Sequence, residues 1–147
     1  MKKISLIFLM MIAASFVFGQ KPLRTTAFNN LRKGELDKAM QNIEPTISDP
    51  TTMNDPKTWF YRGNIYLQIH MSENPAYKAL DSDALNKAYE SYKKSIELDT
   101  KKEYYTETIQ NMLIISEQLY NEGVIRFTAD PPQYLAAMKS FESAVEV

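Results

Sequence analysis

Helical spacing of apolar residues runs through almost the whole chain after residue 21 and limits the fold more than any other feature. Apolar or small side chains recur three and four positions apart, which places them on one face of a helix. The clearest runs are Leu36, Ala39, Met40, Ile43 and Ile47, then Leu85, Ala88, Tyr89, Tyr92 and Ile96, and a stretch from about 103 to 128. No segment alternates apolar and polar residues for long enough to predict a strand. The chain is therefore predicted to be all-α.

Turn-forming residues divide this pattern into separate helices. Gly34 can take the left-handed conformation that ends a helix, here predicted over about 23–32. Asp55 is a good N-cap and Pro56 suits the first helical position, so a helix is predicted to begin there. Asp130, followed by two prolines, repeats the device and predicts the start of a last helix.

A small residue and a bulky residue recur at matching places in two parts of the chain. Gly63 and Gly123 each follow a large apolar residue by four positions, and a second helix comes after each glycine. Two antiparallel helices approach closely where a small residue on one faces a bulky residue on the other. We therefore predict that Gly63 packs against Tyr92 and that Gly123 packs against Phe141. A degenerate third copy, the first in chain order, comprises Ala27, Gly34, Ala39, Ile43 and Thr46.

This pattern resembles the tetratricopeptide repeat (TPR), whose motif is W-x₂-L-G-x₂-Y…A-x₃-F. Arg62 replaces the usual leucine, and Thr100 stands where a closing proline is common. More narrowly, the chain resembles exported TPR proteins of Bacteroidota-type bacteria. The resemblance implies an α-solenoid of about three antiparallel helix pairs. The matching residues are Trp59, Gly63, Tyr66, Ala88 and Tyr92 in the central unit and Gly123, Ala137 and Phe141 in the last.

The expected domain covers residues 20–147. Its units span about 22–50, 55–100 and 103–147, with an insertion near 71–83 and an extended first helix in the last unit. Repeat arrays usually end in a capping helix with a polar face. No such helix follows the last unit here, so we expect either a longer parent protein or a partner that covers this end.

The N-terminal residues 1–19 read as a signal peptide. Lys2 and Lys3 precede an uncharged apolar run over 4–18, and small residues lie before a cleavage point between Gly19 and Gln20. The run is shorter than the roughly 20 residues that a spanning helix needs. A core helix and an uncleaved anchor are the alternatives. The prediction is an exported protein without a membrane span after cleavage, in the periplasm or else secreted or attached to the envelope.

Charge and composition exclude several classes of function. Cleavage would remove two lysines and take the formal net charge from −1 to −3. Such a chain lacks the basic stripe with which nucleic-acid-binding proteins contact phosphates. There is no cysteine, which excludes disulfides, thiolate metal sites and cysteine nucleophiles.

No constellation in the sequence supports catalysis or a cofactor. His70 is the one histidine, and a metal site needs several converging ligands. Asp81 and Asp83 lack the rest of a calcium-binding loop, so we predict that they cap a helix beginning at Ala84. Glu142 and Glu146 read as a solvated helix face. The chain is predicted to be no enzyme and to bind no metal or cofactor.

Binding of a protein or peptide is what the TPR resemblance implies, since the first helix of each pair lines a concave groove in that family. The alternative for four of the candidates is packing against the long linker helix over about 103–117; these are Phe60, Leu67, Tyr120 and Val124. Some TPR proteins hold a C-terminal carboxylate at set positions, but Glu117 occupies one of these here and would repel it. Carried over by position, the groove residues are Lys57, Phe60, Asn64, Leu67, Glu117, Tyr120, Asn121 and Val124.

The sequence therefore predicts an interaction scaffold of the cell envelope that binds a partner through its groove. The alternative is a structural repeat segment of a larger envelope protein, or a self-associating protein without a defined ligand.

Overall fold

The computed structural model describes residues 20–147, and this part of the chain is helical with no strand. The predicted all-α class is confirmed. The predicted signal peptide, residues 1–19, lies outside the described residues. Within residues 20–147, no helix has the length and apolar character needed to cross a bilayer. The elements are α1 (Gln20–Arg32), α2 (Leu36–Ile43) with a 3₁₀ turn (Glu44–Ile47), α3 (Pro56–Met71), α4 (Pro75–Lys78), α5 (Ala84–Leu98), α6 (Tyr105–Phe127) and α7 (Tyr134–Glu146).

Two helix boundaries follow the predicted turn chemistry. Gly34 has a φ of 74°, and its N–H donates to Leu31 O at 2.9 Å while the Glu35 N–H donates to Asn30 O at 2.9 Å. This pair of bonds is the Schellman arrangement, which satisfies the last carbonyls of a helix. At the start of α3, Asp55 Oδ1 accepts from the Lys57 N–H at 3.0 Å. Both predictions are confirmed.

Two predicted caps are wrong, although α5 begins at Ala84 as predicted. Asp83 precedes α5, but its side chain makes no capping bond, and its N–H donates to Asp81 Oδ1 at 2.9 Å. The second oxygen of Asp81 pairs with Lys87 and is not available as a cap. Asp130 does not cap α7, which begins only at Tyr134 after Gln133 donates its N–H back to a carbonyl at the end of α6.

Six helices form three pairs, α1 with α2, α3 with α5, and α6 with α7. The second pair is antiparallel, since Ser95 near the end of α5 donates to the carbonyl of Pro56 at the start of α3. The third pair is antiparallel too, because Ser116 donates to Ala144 O at 2.6 Å while Gly123 lies against Phe141. The one-turn helix α4 occupies the predicted insertion between α3 and α5.

The predicted contacts between small and bulky residues are confirmed. A Cβ built on Gly63 would lie 2.6 Å from Tyr92 Cδ1, and one built on Gly123 would lie 2.5 Å from Phe141 Cε1. Any side chain would overlap these rings, so the glycines set how closely the paired helices approach. In the first pair, Ala27 and Ala39 are fully buried at the corresponding small-residue positions.

The core is centred on α3, which packs against α2 and α5 and also touches α1 and α6. Each pair packs against the first helix of the next, so α2 contacts α3 and α5 contacts α6. The main neighbour of α7 is its own partner, α6. Within residues 20–147, α7 therefore has no following helix packed against it.

Candidate functional site

The two helices of each pair form a groove between them. In the first pair, α3 fills this groove. Arg24 of α1 donates to Asp55 Oδ2 at 2.5 Å and to Thr58 Oγ1 at 3.1 Å. Phe28 stacks on the ring of Tyr61, with ring centroids 4.4 Å apart. These contacts join α1 to the start of α3.

A partly buried polar cluster completes the contact between the first pair and α3. Arg62 Nε donates to Glu44 Oε1 at 2.8 Å, and its Nη1 donates to Ser91 Oγ at 2.7 Å. Tyr66 OH donates to the same Glu44 oxygen at 2.9 Å, and the Arg62 guanidinium lies over the Tyr66 ring. Burial, together with the Glu44 carboxylate, raises the pKa of Tyr66 well above its usual value. The arginine in place of the usual leucine thus ties α2, α3 and α5 together.

The groove of the second pair is filled by the beginning of α6. Phe60 is 4% exposed and packs on Tyr104, with ring centroids 4.9 Å apart, just before α6 begins. Asn64 Oδ1 accepts from Tyr92 OH at 2.7 Å and from Asn111 Nδ2 of α6 at 3.1 Å. Phe60 thus packs beside the start of the long helix, which is the alternative to a position in a binding groove.

The four candidate residues of the central unit therefore have little free surface. Phe60 and Leu67 lie in the core, and Asn64 is half-buried with its oxygen already bonded. Lys57 is half-buried, with its ammonium 5.6 Å from the centre of the Tyr61 ring. A small cleft of about 280 Å³ remains between these helices, lined by Leu31, Asn64, Leu67, Gln68, Tyr92, Glu107 and Asn111.

The groove of the third pair is open. It runs between α6 and α7 and encloses about 610 Å³. Its walls are largely apolar, and its one charged lining residue is Glu117. We call it the α6–α7 groove, and its lining is Leu113, Ser116, Glu117, Tyr120, Phe141, Ala144 and Val145.

The four candidate residues of the last unit lie at or beside this groove and are exposed. Glu117 and Tyr120 line it, and Val124 follows one turn along the same face of α6. Asn121 is exposed next to them. Tyr120 occupies the repeat position of Phe60, three residues before the glycine, yet it is 56% exposed where Phe60 is 4% exposed. The difference arises because, within residues 20–147, no helix packs on α6 as α6 packs on α3.

Other apolar residues at this surface were not among the predicted site residues. Met138 is 51% exposed and Val145 is 88% exposed, whereas their repeat counterparts on α2, Met40 and Ile47, are half-buried. The signal was present in the sequence, since these residues belong to the apolar periodicity of α7. Periodicity alone does not say whether a neighbouring helix covers the face.

His70 shows no sign of a metal site. It is half-buried near the end of α3, and burial lowers the pKa of its imidazole. Among residues 20–147, no three carboxylate or imidazole groups converge as metal ligands would. The α6–α7 groove is thus the best candidate for a ligand-binding surface.

Comparison of the chain with protein-family models, with curated proteins and with solved structures finds no match in any of the three.

Proposed function

We propose that this protein is an interaction module of the cell envelope, built from TPR-like helix pairs, that holds part of a partner polypeptide in the α6–α7 groove. The observation that carries the proposal is the exposure of large apolar side chains on both walls of one groove. Soluble proteins rarely leave such contiguous apolar surface uncovered unless it binds something. Leu113, Tyr120 and Val145 together form such a surface.

The chemistry of the lining favours binding over catalysis. The hydroxyl of Ser116 donates to the carbonyl oxygen of Ala144. Its hydrogen-bond partner is therefore not a base that could remove its proton. Glu117 has no second carboxylate or histidine beside it among the lining residues. General acid–base or nucleophilic catalysis needs such a partner group within hydrogen-bonding reach. A largely apolar groove open to solvent instead fits a segment of polypeptide.

The proposal is tested by comparing capture of envelope proteins from the native host by the wild-type chain and by Tyr120→Lys. We expect specific partners to be lost with Tyr120→Lys, because a lysine places a charge on the apolar wall. The matched control is Ile125→Lys, which changes a residue of the same helix that is 68% exposed and does not line the groove. Equal recovery with both variants, at unchanged helicity, would contradict the proposal.

Phe60→Ala is unsuited to this test. Phe60 lies in the core, so its removal is expected to lower the free energy of unfolding by about 3–5 kcal/mol rather than to probe a surface.

Self-association is the second candidate, favoured by the same apolar walls. Two copies could bury their α6–α7 grooves against each other, as in a two-fold dimer. Sedimentation equilibrium separates the candidates. Concentration-dependent dimers that disappear with Tyr120→Lys, together with no captured heteropartner, would favour the second.

The envelope location is proposed from the signal-peptide pattern alone. It is tested by N-terminal sequencing of the protein recovered from the host, for which we expect a start at Gln20. Recovery of an intact Met1 terminus from the cytoplasmic fraction of the host would contradict it, whereas an intact terminus in the membrane fraction would indicate an uncleaved anchor.

A further inference from the structure

Helices α2 and α7 carry the same residue types at the same repeat positions. Counting from the buried alanines Ala39 and Ala137, a methionine follows at the next position and a glutamate follows five residues on. Eight residues on, both helices carry a β-branched aliphatic residue. The matched pairs are Met40 with Met138, Glu44 with Glu142, and Ile47 with Val145.

On α2 and the 3₁₀ turn that follows it, this face is covered by α3, and Glu44, in the turn, makes the polar contact between them. Its carboxylate receives the Arg62 guanidinium at 2.8 Å and the Tyr66 hydroxyl at 2.9 Å. Arg62 and Tyr66 are four residues apart, so they lie on one face of α3, one turn from each other. Met40 is half-buried and packs against the core.

On α7, the corresponding face is uncovered. Met138 and Val145 are exposed, and so is Glu142 between them. None of the ion pairs formed within residues 20–147 involves Glu142. In α5 the residue five positions after the buried alanine, Ala88, is Lys93 and not an acidic residue. The glutamate is therefore shared by the second helices of the first and third pairs but not by that of the second pair.

The charge of the groove argues against a second copy as its occupant. Glu117 lies on the α6 wall, Glu142 lies on α7 beside the lining residue Phe141 without lining the groove itself, and no basic side chain lines the groove. A two-fold dimer built on this face would bring these like charges from both copies together, which is unfavourable. A basic residue on the incoming element would be attracted to both.

We propose that the α6–α7 groove binds an amphipathic helix of a partner protein, seated as α3 is seated on α2, whose arginine and tyrosine four residues apart engage Glu142. The inference rests on the proposed function and names the chemistry of the partner. The exposed α6 wall runs from Leu113 to Val124, and a helix rises 1.5 Å per residue. The occupant thus needs about three turns of helix with bulky aliphatic side chains on one face.

Residues 55–71 of this chain supply a probe, since they contain the arginine and the tyrosine at the required spacing. A fluorescent peptide with this sequence is titrated with the purified protein, and binding is followed by fluorescence anisotropy. We expect saturable binding that Glu142→Arg weakens about tenfold, as loss of a charged hydrogen bond does. A peptide carrying Arg62→Glu should recover most of that loss with the Glu142→Arg protein, and only with it.

The matched control is Glu73→Arg, which makes the same charge change at an exposed position outside α6 and α7. It is expected to leave the affinity for the unmodified peptide within about twofold. Circular dichroism of both variants checks that the fold persists. Binding that responds equally to both substitutions, or that is absent with the wild-type protein, would overturn the inference.

Two further outcomes separate this inference from the function on which it rests. If Tyr120→Lys abolishes capture of host partners while the peptide fails to bind, the groove holds a non-helical segment, and only the inference is lost. If sedimentation instead shows a dimer that Tyr120→Lys disrupts and the peptide does not, the occupant is a second copy and the inference is again overturned.

Discussion

Gly63 and Gly123 occupy the same position in two helix pairs, but the aromatic rings that they face differ in their freedom to move. Tyr92 is fully buried, and its hydroxyl is tethered to Asn64 at 2.7 Å. Phe141 is half-buried and lines the open α6–α7 groove. A methyl group added at either glycine must displace the ring, and only Phe141 has space to receive the displacement.

We expect Gly63→Ala to lower the free energy of unfolding by about 1–2 kcal/mol. Overpacking a core costs about 1–3 kcal/mol, and the better helix propensity of alanine returns up to about 1 kcal/mol. For Gly123→Ala the two effects should nearly cancel, within about 0.5 kcal/mol of wild type. Urea unfolding of both variants measures the difference.

A double-mutant cycle provides the control for these glycine variants. In a Tyr92→Leu background the ring is gone, so Gly63→Ala should no longer be destabilising. Equal losses for Gly63→Ala and Gly123→Ala, or a loss that persists without Tyr92, would contradict the steric explanation.

Two buried tyrosines are expected to make stability depend on pH in the alkaline range. Burial raises the pKa of Tyr92 above its usual value, and burial with the Glu44 carboxylate does the same for Tyr66. The unfolded chain therefore loses its phenolic protons first, at about pH 10. Above that pH the native state binds more protons than the unfolded state, so stability falls as pH rises.

This pH dependence is measured by urea unfolding at closely spaced pH values between about 8 and 11, in the wild type and in Tyr92→Phe. Removing one phenol should flatten the decline above about pH 10, because one fewer proton is linked to unfolding. Parallel curves for the two proteins would contradict the role assigned to Tyr92.

At this scale the sequence predicts contacts that depend on spacing alone and misses those that depend on several elements. Gly63 against Tyr92 follows from small and bulky residues at fixed offsets. The bonding of Arg62 cannot be predicted in this way, because its partners Glu44 and Ser91 come from two other segments of the chain. The position of a residue in a repeat motif does not show which residues of other helices lie beside it.

Helix ends show how local chemistry and tertiary contacts compete at the scale of the elements. The end of α1 follows from Gly34, whose positive φ only glycine adopts without strain. Helix α5 begins at Ala84 as predicted, but its acidic residues do not cap it, and Asp81 is engaged by Lys87 and by the backbone of Asp83. Capping residues are predictable only where no other group claims their side chains.

The Schellman end of α1 leads to a prediction about Gly34. No atom lies within 4 Å of a Cβ built there, so substitution brings conformational strain without overlap. Gly34→Ala should lower the free energy of unfolding by about 1 kcal/mol, the cost of a left-handed alanine. Gly34→Asn should cost less, since asparagine tolerates this conformation. Thermal and urea unfolding test the order, and equal losses for the two variants would contradict it.

For the whole molecule, the decisive property is which grooves are covered. Repeat position places Phe60 and Tyr120 at corresponding sites, and sequence reasoning assigned both to one binding surface. The structure buries Phe60 under the start of α6 and exposes Tyr120. Coverage depends on the extended first half of α6 folding across α3, a tertiary contact that periodicity does not encode.

The same arrangement makes local stability uneven along the chain. Helix α3 packs against two neighbours in the core, whereas the main neighbour of α7 is α6. Opening of α7 therefore breaks essentially one interface, and local opening free energies follow the number of packed neighbours. Its last turn has one more attachment, the bond from Tyr89 OH to Glu146 O at 3.1 Å.

We expect amide hydrogens of α7 to exchange about tenfold faster or more than those of α3 in hydrogen-exchange mass spectrometry. Tyr89→Phe should raise exchange in the last turn of α7 and leave α3 unchanged, because it removes the bond to Glu146 O. A helix seated in the α6–α7 groove should slow exchange throughout α7, since opening would then require release of the ligand. Equal protection of α3 and α7 in the free protein would show that α7 is held by more than α6. Helix α7, which forms one wall of the groove, would then not be the least stable helix of the fold.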